Sequence, residues 1–145
     1  MRELQSEITI DAPAARVWAV LTDFAAYSEW NPFLERVSGS PTAGSRLTIR
    51  FHPPGSRATT LRPTLLRAEP DRELRWRGRV LLPGVLDAEH SLLIEPLGAD
   101  RVRFVQSETF SGLLLPLFGG TQSNAERGFA AMNTALKERV EEGGR

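Results

Sequence analysis

The chain is predicted to fold as an α+β domain in which an antiparallel sheet curves around one long C-terminal helix, and two observations carry this expectation. The first is a single amphipathic segment near the C-terminus. There Ala125, Phe129, Met132, Leu136 and Val140 recur at helical spacing, while Glu126, Arg127, Lys137, Glu138 and Glu141 occupy the other side. The second is the stretch from Leu34 to Phe110, which reads almost throughout as strands separated by turns. A helix of about twenty residues is roughly 30 Å long, so only a broad sheet can bury such a stripe. One helix cannot fill the concavity of a curved sheet everywhere. The expected consequence is an internal cavity, the usual form of a small-molecule site.

Each element follows in order. Leu4, Ser6, Ile8 and Ile10 alternate with Glu3, Gln5, Glu7 and Thr9, as in a strand with one wet face. Asp11-Ala12-Pro13 is a helix-start signal, with Asp able to accept from free amides, and a helix is expected to about Thr22 with Val17, Trp18 and Leu21 buried. Asp23 is placed to cap a second short turn through Tyr27, which Asn31-Pro32 ends. Turns at 38–44, 52–56, 69–72, 83–84 and 96–100 divide the middle into six expected strands. Alternation is clearest for Leu47, Ile49 and Phe51, for Leu74, Trp76 and Gly78, and for Val102, Phe104, Gln106 and Glu108, each against an arginine-rich opposite face. Short connections favour antiparallel pairing, because parallel strands need long crossovers. Leu113 to Phe118 is greasy for a connection, and is either a mobile gate whose glycines, Gly119 and Gly120, absorb motion or a static plug. Ser123 and Glu126 have capping-box spacing, which points to a helix restarting after the glycines.

Composition narrows the function. The 145 residues, 41% hydrophobic, suit one domain over residues 1–145. Lys+Arg 18 balances Asp+Glu 18, so no overall field draws phosphate backbones, and nucleic acid is not an expected partner. The absence of Cys excludes disulfides, thiol nucleophiles and thiolate metal sites. No stretch approaches the roughly 18 apolar residues of a membrane span. The first residues, Met1 to Gln5, lack the apolar core of a signal peptide. A cytoplasmic protein with no stable membrane association is expected, and the sequence specifies no oligomeric state.

Several residue groups together resemble a known family. Val17-Trp18, Leu21, Asp23, Tyr27, Trp30-Asn31-Pro32-Phe33, Glu69-Pro70, Leu74 to Gly78, Glu108-x-Phe110-x-Gly112 and Met132-Asn133-x-x-Leu136-Lys137 look like the START-related helix-grip (SRPBCC) superfamily, in its polyketide cyclase/dehydrase and lipid-transport branch. The resemblance spans nearly the whole chain. It implies a seven-stranded antiparallel sheet wrapped around the C-terminal helix, two short helices closing one end, and a cavity between. Such cavities serve carriers, receptors, cyclases and chaperone activators alike, so the fold does not name the reaction. Gly119-Gly120-Thr121 departs from the helix-favouring sequence usual at that point.

The side chains expected to face the cavity are Trp30, Phe33, Leu47, Ile49, Phe51, Leu65, Trp76, His90, Leu92, Gln106, Glu108, Phe110, Phe129, Met132 and Leu136. So lined, it suits a small hydrophobic molecule, lipid-like or an aromatic polyketide. The competing reading is that they are plain core. His90 and Glu108 are the candidate catalytic groups, on inward phases of neighbouring strands. They form either an acid/base couple or a buried structural pair. Arg75, Arg77 and Arg79 read as a solvated outer face answered by Glu89 or Glu95, with an anion site as the alternative. GxGxxG, P-loop, GxSxG and HExxH patterns are missing, and two histidines without cysteine make a poor metal set, so no cofactor and no metal are expected. Three functions follow: binding or carriage of a hydrophobic ligand, a cyclase/dehydratase using His90 and Glu108, or a chaperone-cofactor-like interaction module with a filled interior.

Overall fold

The computed structural model describes residues 2–80, 86–112 and 122–143. Its elements are β1 (Arg2–Ile10), α1 (Ala14–Thr22), a 3-10 turn (Phe24–Glu29), β2 (Leu34–Ser38), β3 (Thr48–Phe51), β4 (Thr59–Leu61), β5 (Thr64–Glu69), β6 (Glu73–Val80), β7 (Leu86–Gly98), β8 (Arg101–Ser111) and α2 (Gln122–Gly143). Every described ladder is antiparallel. The α+β class and the long C-terminal helix agree with expectation, but the strand arrangement differs. In place of one seven-stranded sheet, five strands run in the order β1-β8-β7-β6-β5 and three in the order β2-β3-β4.

The additional strand arises at Pro63. Proline has no N–H to give a ladder, so a stretch that reads as one strand breaks into β4 and β5, which join different sheets. The sheets meet at one isolated bridge between Arg46 and Thr64, flanked by hydrogen bonds from Leu47 N–H to Pro63 O and from Leu65 N–H to Ser45 O, both 2.8 Å. The expected turn at 83–84, the greasy segment 113–118 with its glycines, and the Ser123 side chain of the proposed capping box lie outside the described residues.

Helix α1 begins where expected but is not capped by an aspartate. The Pro13 carbonyl accepts from the amides of Arg16 and Val17 at 3.0 and 3.3 Å. Asp11 instead accepts from Arg101 Nε at 3.0 Å, and Asp23 makes no side-chain cap to the 3-10 turn. At the other end of α1 the Tyr27 hydroxyl donates to the Leu21 carbonyl at 2.5 Å, satisfying one of the acceptors that a helix terminus leaves open. Burial, with Asp23 nearby, pushes the Tyr27 phenol above its usual range.

The expected stripe on α2 is the core: Phe129, Met132, Leu136 and Val140 are wholly buried with Ile10, Leu92, Ile94 and Phe104 from the larger sheet. Close approach at the helix's first turns depends on a missing side chain. A Cβ on Gly128 would lie 2.4 Å from Cδ1 of Phe33, whose ring packs edge-on against Phe129 with centroids 5.6 Å apart. At the far end Glu141 ties the helix to the β1–α1 turn, accepting from the Asp11 amide at 2.9 Å and from Lys137 Nζ at 2.5 Å.

Two predictions follow from these ends of α2. Gly128→Ala gains about 1 kcal/mol of helix propensity but overpacks against a buried ring at a cost of roughly 1–3 kcal/mol. Thermal unfolding is therefore expected to shift downward, and an unchanged or raised Tm contradicts the packing account. Lys137, with the Asp11 amide, holds the Glu141 carboxyl below its ordinary range in the folded state. This stabilisation is complete above the unfolded-state carboxylate pKa and is lost as pH falls through the lower folded value. Urea unfolding of Glu141→Gln is expected to show lower stability than the parent at neutral pH, with the difference shrinking as the pH is lowered through the carboxylate range.

Candidate functional site

The larger sheet presents two rows of side chains to a cavity of about 190 Å³. Strand register makes the rows: Trp76 pairs with His90 and His90 with Glu108, and two residues along Gly78 pairs with Ala88 and Ala88 with Phe110. Alternation on β6, β7 and β8 turns all six to the same face. Phe33, Phe51 and Leu61 with Pro53 and Pro63 close the opposite side, and Ala125 of α2 closes the end. The space exists because two positions of the second row, Gly78 and Ala88, are small. A Cβ added to Gly78 meets nothing within 4 Å, and its backbone is not in the left-handed region.

The first row carries the polarity. His90 is 2% exposed, stacked on Trp76 at 5.0 Å and 12°, and meets the Phe129 ring edge-on at 5.1 Å. Its Nδ1 lies 2.6 Å from Glu108 Oε2 and its Nε2 3.0 Å from Gln106 Oε1. Proton positions are assigned from these partners. Gln106 Nε2 donates to the Phe129 carbonyl at 3.3 Å and to Asn133 Oδ1 at 2.8 Å, and a carbonyl can only accept. Gln106 Oε1 must therefore face His90, which makes Nε2 of His90 a donor. The remaining proton lies on the Nδ1 to Oε2 line, shared by a couple that is either imidazolium with carboxylate or neutral imidazole with carboxylic acid. Asn133 Nδ2 continues the chain to Ser6 Oγ at 3.1 Å. Both nitrogens of His90 are thus engaged. The Glu108 side chain is 15% exposed and lines the cavity, and among the described residues its Oε1 has no hydrogen-bond partner.

Of the residues expected to face a ligand, Phe33, Phe51, Trp76, His90, Glu108 and Phe110 line this cavity. Leu47, Ile49, Leu65, Leu92, Phe129, Met132 and Leu136 are instead fully buried core that does not reach it, and Trp30 packs against Tyr27. Gln106 is 0% exposed, and its amide is consumed by the chain between sheet and helix. The reason is geometric: among the described residues, the sheet closes on the C-terminal part of α2 and leaves room near Ala125. Sequence reading passed over Pro53, Leu61, Pro63, Gly78, Ala88 and Ala125. Gly78 and Ala88 share the inward phase of Trp76 and His90, so alternation could have found them. Pro53, Leu61 and Pro63 stand in turns and a three-residue strand, where no period exists to read.

Arg75 meets Glu73 and Glu89 at 2.9 and 3.4 Å, and Arg77 meets Glu89 at 3.7 Å, on the outer face as expected. Glu95 pairs with Arg103, not with β6. His52 lies on the outside against Glu35, whose carboxyl Arg50 and His52 hold below its ordinary range. Among the described residues, no helix is long and apolar enough to cross a membrane.

A family model described as polyketide cyclase/dehydrase and lipid transport matches residues 1–141. Solved structures with the same fold include the ZhuI aromatase/cyclase from Streptomyces sp. R1128, at 22% identity and TM-score 0.74, covering 99% of this chain and 96% of that one. A START superfamily protein from Mycobacterium smegmatis matches at 18% identity and TM-score 0.74, covering 97% of each chain. Truncated norcoclaurine synthase from Thalictrum flavum matches at 16% identity and TM-score 0.72, covering 97% of this chain and 94% of that one. Among curated proteins no match is found. With a family match over nearly its full length and a sheet gripping a C-terminal helix, the chain belongs to the polyketide cyclase/dehydrase and lipid transport family.

Proposed function

We propose that the chain binds one small, flat, largely apolar molecule in the cavity, with a hydroxyl or similar donor turned toward Glu108. The observation that carries this is the pair of rows: one in which Gly78 and Ala88 leave space, beside a polar row that can orient an occupant. Magnitudes support a division of labour. A bicyclic aromatic of side-chain size buries roughly 200 Å², worth about 5 kcal/mol at 25 cal/mol per Å². That alone corresponds to a Kd of order 0.1 mM before ordering costs, so useful affinity requires the hydrogen bond to Glu108. The family's name and the cyclase and synthase folds it resembles agree with such a ligand. A cytoplasmic setting, without stable membrane or nucleic-acid contact, belongs to the same reading. An interaction module with a filled interior draws no support from a molecule that keeps this space open.

A second reading, a cofactor-free cyclase/dehydratase, is favoured by one observation, the 2.6 Å contact between His90 and Glu108 at the cavity wall. In it Glu108 takes a proton from a carbon between two carbonyls, with His90 holding the carboxylate in place. The enolate carbon then bonds to a third carbonyl carbon of the same chain as that C=O π bond opens, and Glu108 returns the proton to the new alkoxide. In the dehydration Glu108 takes the remaining proton from the same α-carbon, the C=C bond forms as the C–O bond breaks, and that proton goes to the departing hydroxyl, which leaves as water.

Gly78→Leu puts a side chain into the empty space beside the polar row. Affinity for 2-naphthol, read by tryptophan quenching, is expected to fall at least tenfold with Tm unchanged or raised. Unaltered affinity removes the cavity as the binding site. For the second reading, the parent is expected to accelerate aldol closure of a soluble triketone, and Glu108→Gln to lose about a hundredfold of that rate. A parent no faster than buffer dismisses catalysis of this kind while leaving binding intact.

A further inference from the structure

On the outer side of the wall that encloses the cavity lies a second concavity, of about 310 Å³, lined by Arg46, Arg62, Thr64, Leu66, Arg77 and Arg79. Four segments converge there: the stretch before β3, the β4–β5 link, β5 and β6. They meet at the seam between the two sheets, where Arg46 bridges to Thr64. Strand alternation separates this cleft from the cavity, since Leu61, Pro63 and Gly78 face inward while Arg62, Thr64, Arg77 and Arg79 face outward.

These arginines differ from several others on the surface. Arg50, Arg67, Arg101, Arg103 and Arg139 each meet a carboxylate at 3.0 Å or closer. In the cleft, Arg77 and Arg79 reach Glu89 and Asp87 only at 3.7 and 3.8 Å, too far for a hydrogen bond. Arg46 Nε donates to the Arg62 carbonyl at 3.1 Å, which holds its side chain in place and leaves its terminal nitrogens for another acceptor. Among the described residues no carboxylate lines this concavity, Glu89 and Asp87 lying beside it. Four guanidinium groups therefore gather in a chain of zero net charge, with planar N–H donors in excess of the acceptors around them. Guanidinium forks match the oxygen spacing of phosphate bidentately, and a hydroxyl such as that of Thr64 adds a donor.

We infer that this cleft is a binding site for a phosphate or diphosphate group, separate from the hydrophobic cavity. The group belongs either to a soluble phosphoester or to a lipid headgroup, and in both cases its oxygens cross-link the two sheets at their seam. Binding is expected to raise Tm, because the ligand favours the folded chain alone.

The test is calorimetric titration of the full chain with inorganic pyrophosphate at fixed ionic strength. Saturable binding is expected, weakened at least tenfold in Arg46→Gln/Arg62→Gln and unchanged in Arg50→Gln, whose arginine is tied to Glu35. The substituted side chains are exposed, so the ligand-free Tm of the double variant is expected to equal the parent's. A parallel sedimentation with phosphatidylcholine vesicles, with and without phosphatidic acid, separates the sources. Retention on the acidic vesicles that the double variant abolishes assigns a lipid headgroup. Pyrophosphate binding without retention assigns a soluble phosphoester. Absence of saturable pyrophosphate binding, or equal affinity in the double variant, overturns the inference whatever the vesicles show.

Discussion

A buried amide cannot be left unpaired, and this constraint fixes how the helix of this protein sits on its sheet. Gln106 is inaccessible on β8, and leaving any of its three hydrogen-bonding positions open would cost roughly 1–3 kcal/mol. They are filled by His90 of β7 and by Asn133 and the Phe129 carbonyl of α2, and Asn133 passes the chain to Ser6 of β1. Three strands and the helix are thereby held at one spacing. Below this chain Met132, Leu136 and Val140 close the core. Beyond it, toward Ala125, the facing residues are Gly78 and Ala88, and the sheet and helix no longer fill the space between them.

The same chain sets the chemistry of the cavity wall. Because Gln106 can only accept from His90, the imidazole is fixed in one orientation and presents its other nitrogen to Glu108. Trp76 stacked on one face and Phe129 at its edge prevent the ring from turning. The outcome is a carboxyl group held by a partner that is itself immobilised, which suits either a ligand's hydroxyl or an exchangeable proton. Binding and proton transfer thus use one geometry, and the difference between them lies in the molecule that enters.

Much of this was legible in the sequence, and the failures have physical causes. Periodicity in Ala125 to Val140 gave the gripped helix, and alternation in β6, β7 and β8 put Trp76, His90 and Glu108 on one face. Register was the missing quantity: alternation says which face a side chain takes, but not how far along the helix it lies. Leu92, Met132 and Leu136 therefore looked equivalent to Trp76 and Phe110, although they lie where the layers close. The split of the sheet at Pro63 was signalled by the proline itself but reads equally as an edge residue. Gly78 and Ala88 were visible in phase and overlooked because a cavity is made by side chains that are small. The arginine cleft depends on the meeting of two sheets, which no local pattern encodes.

The central claim is that the space above Gly78 and Ala88 is a ligand site oriented by Glu108. A crystal structure of the protein isolated from its own cells, without added ligand, tests it most directly. Electron density for a small planar molecule over those two residues, with a polar atom within hydrogen-bonding distance of Glu108 Oε1, is the predicted result. A cavity closed by inward movement of Phe33 and Phe51, with no room left above Gly78, would contradict the account.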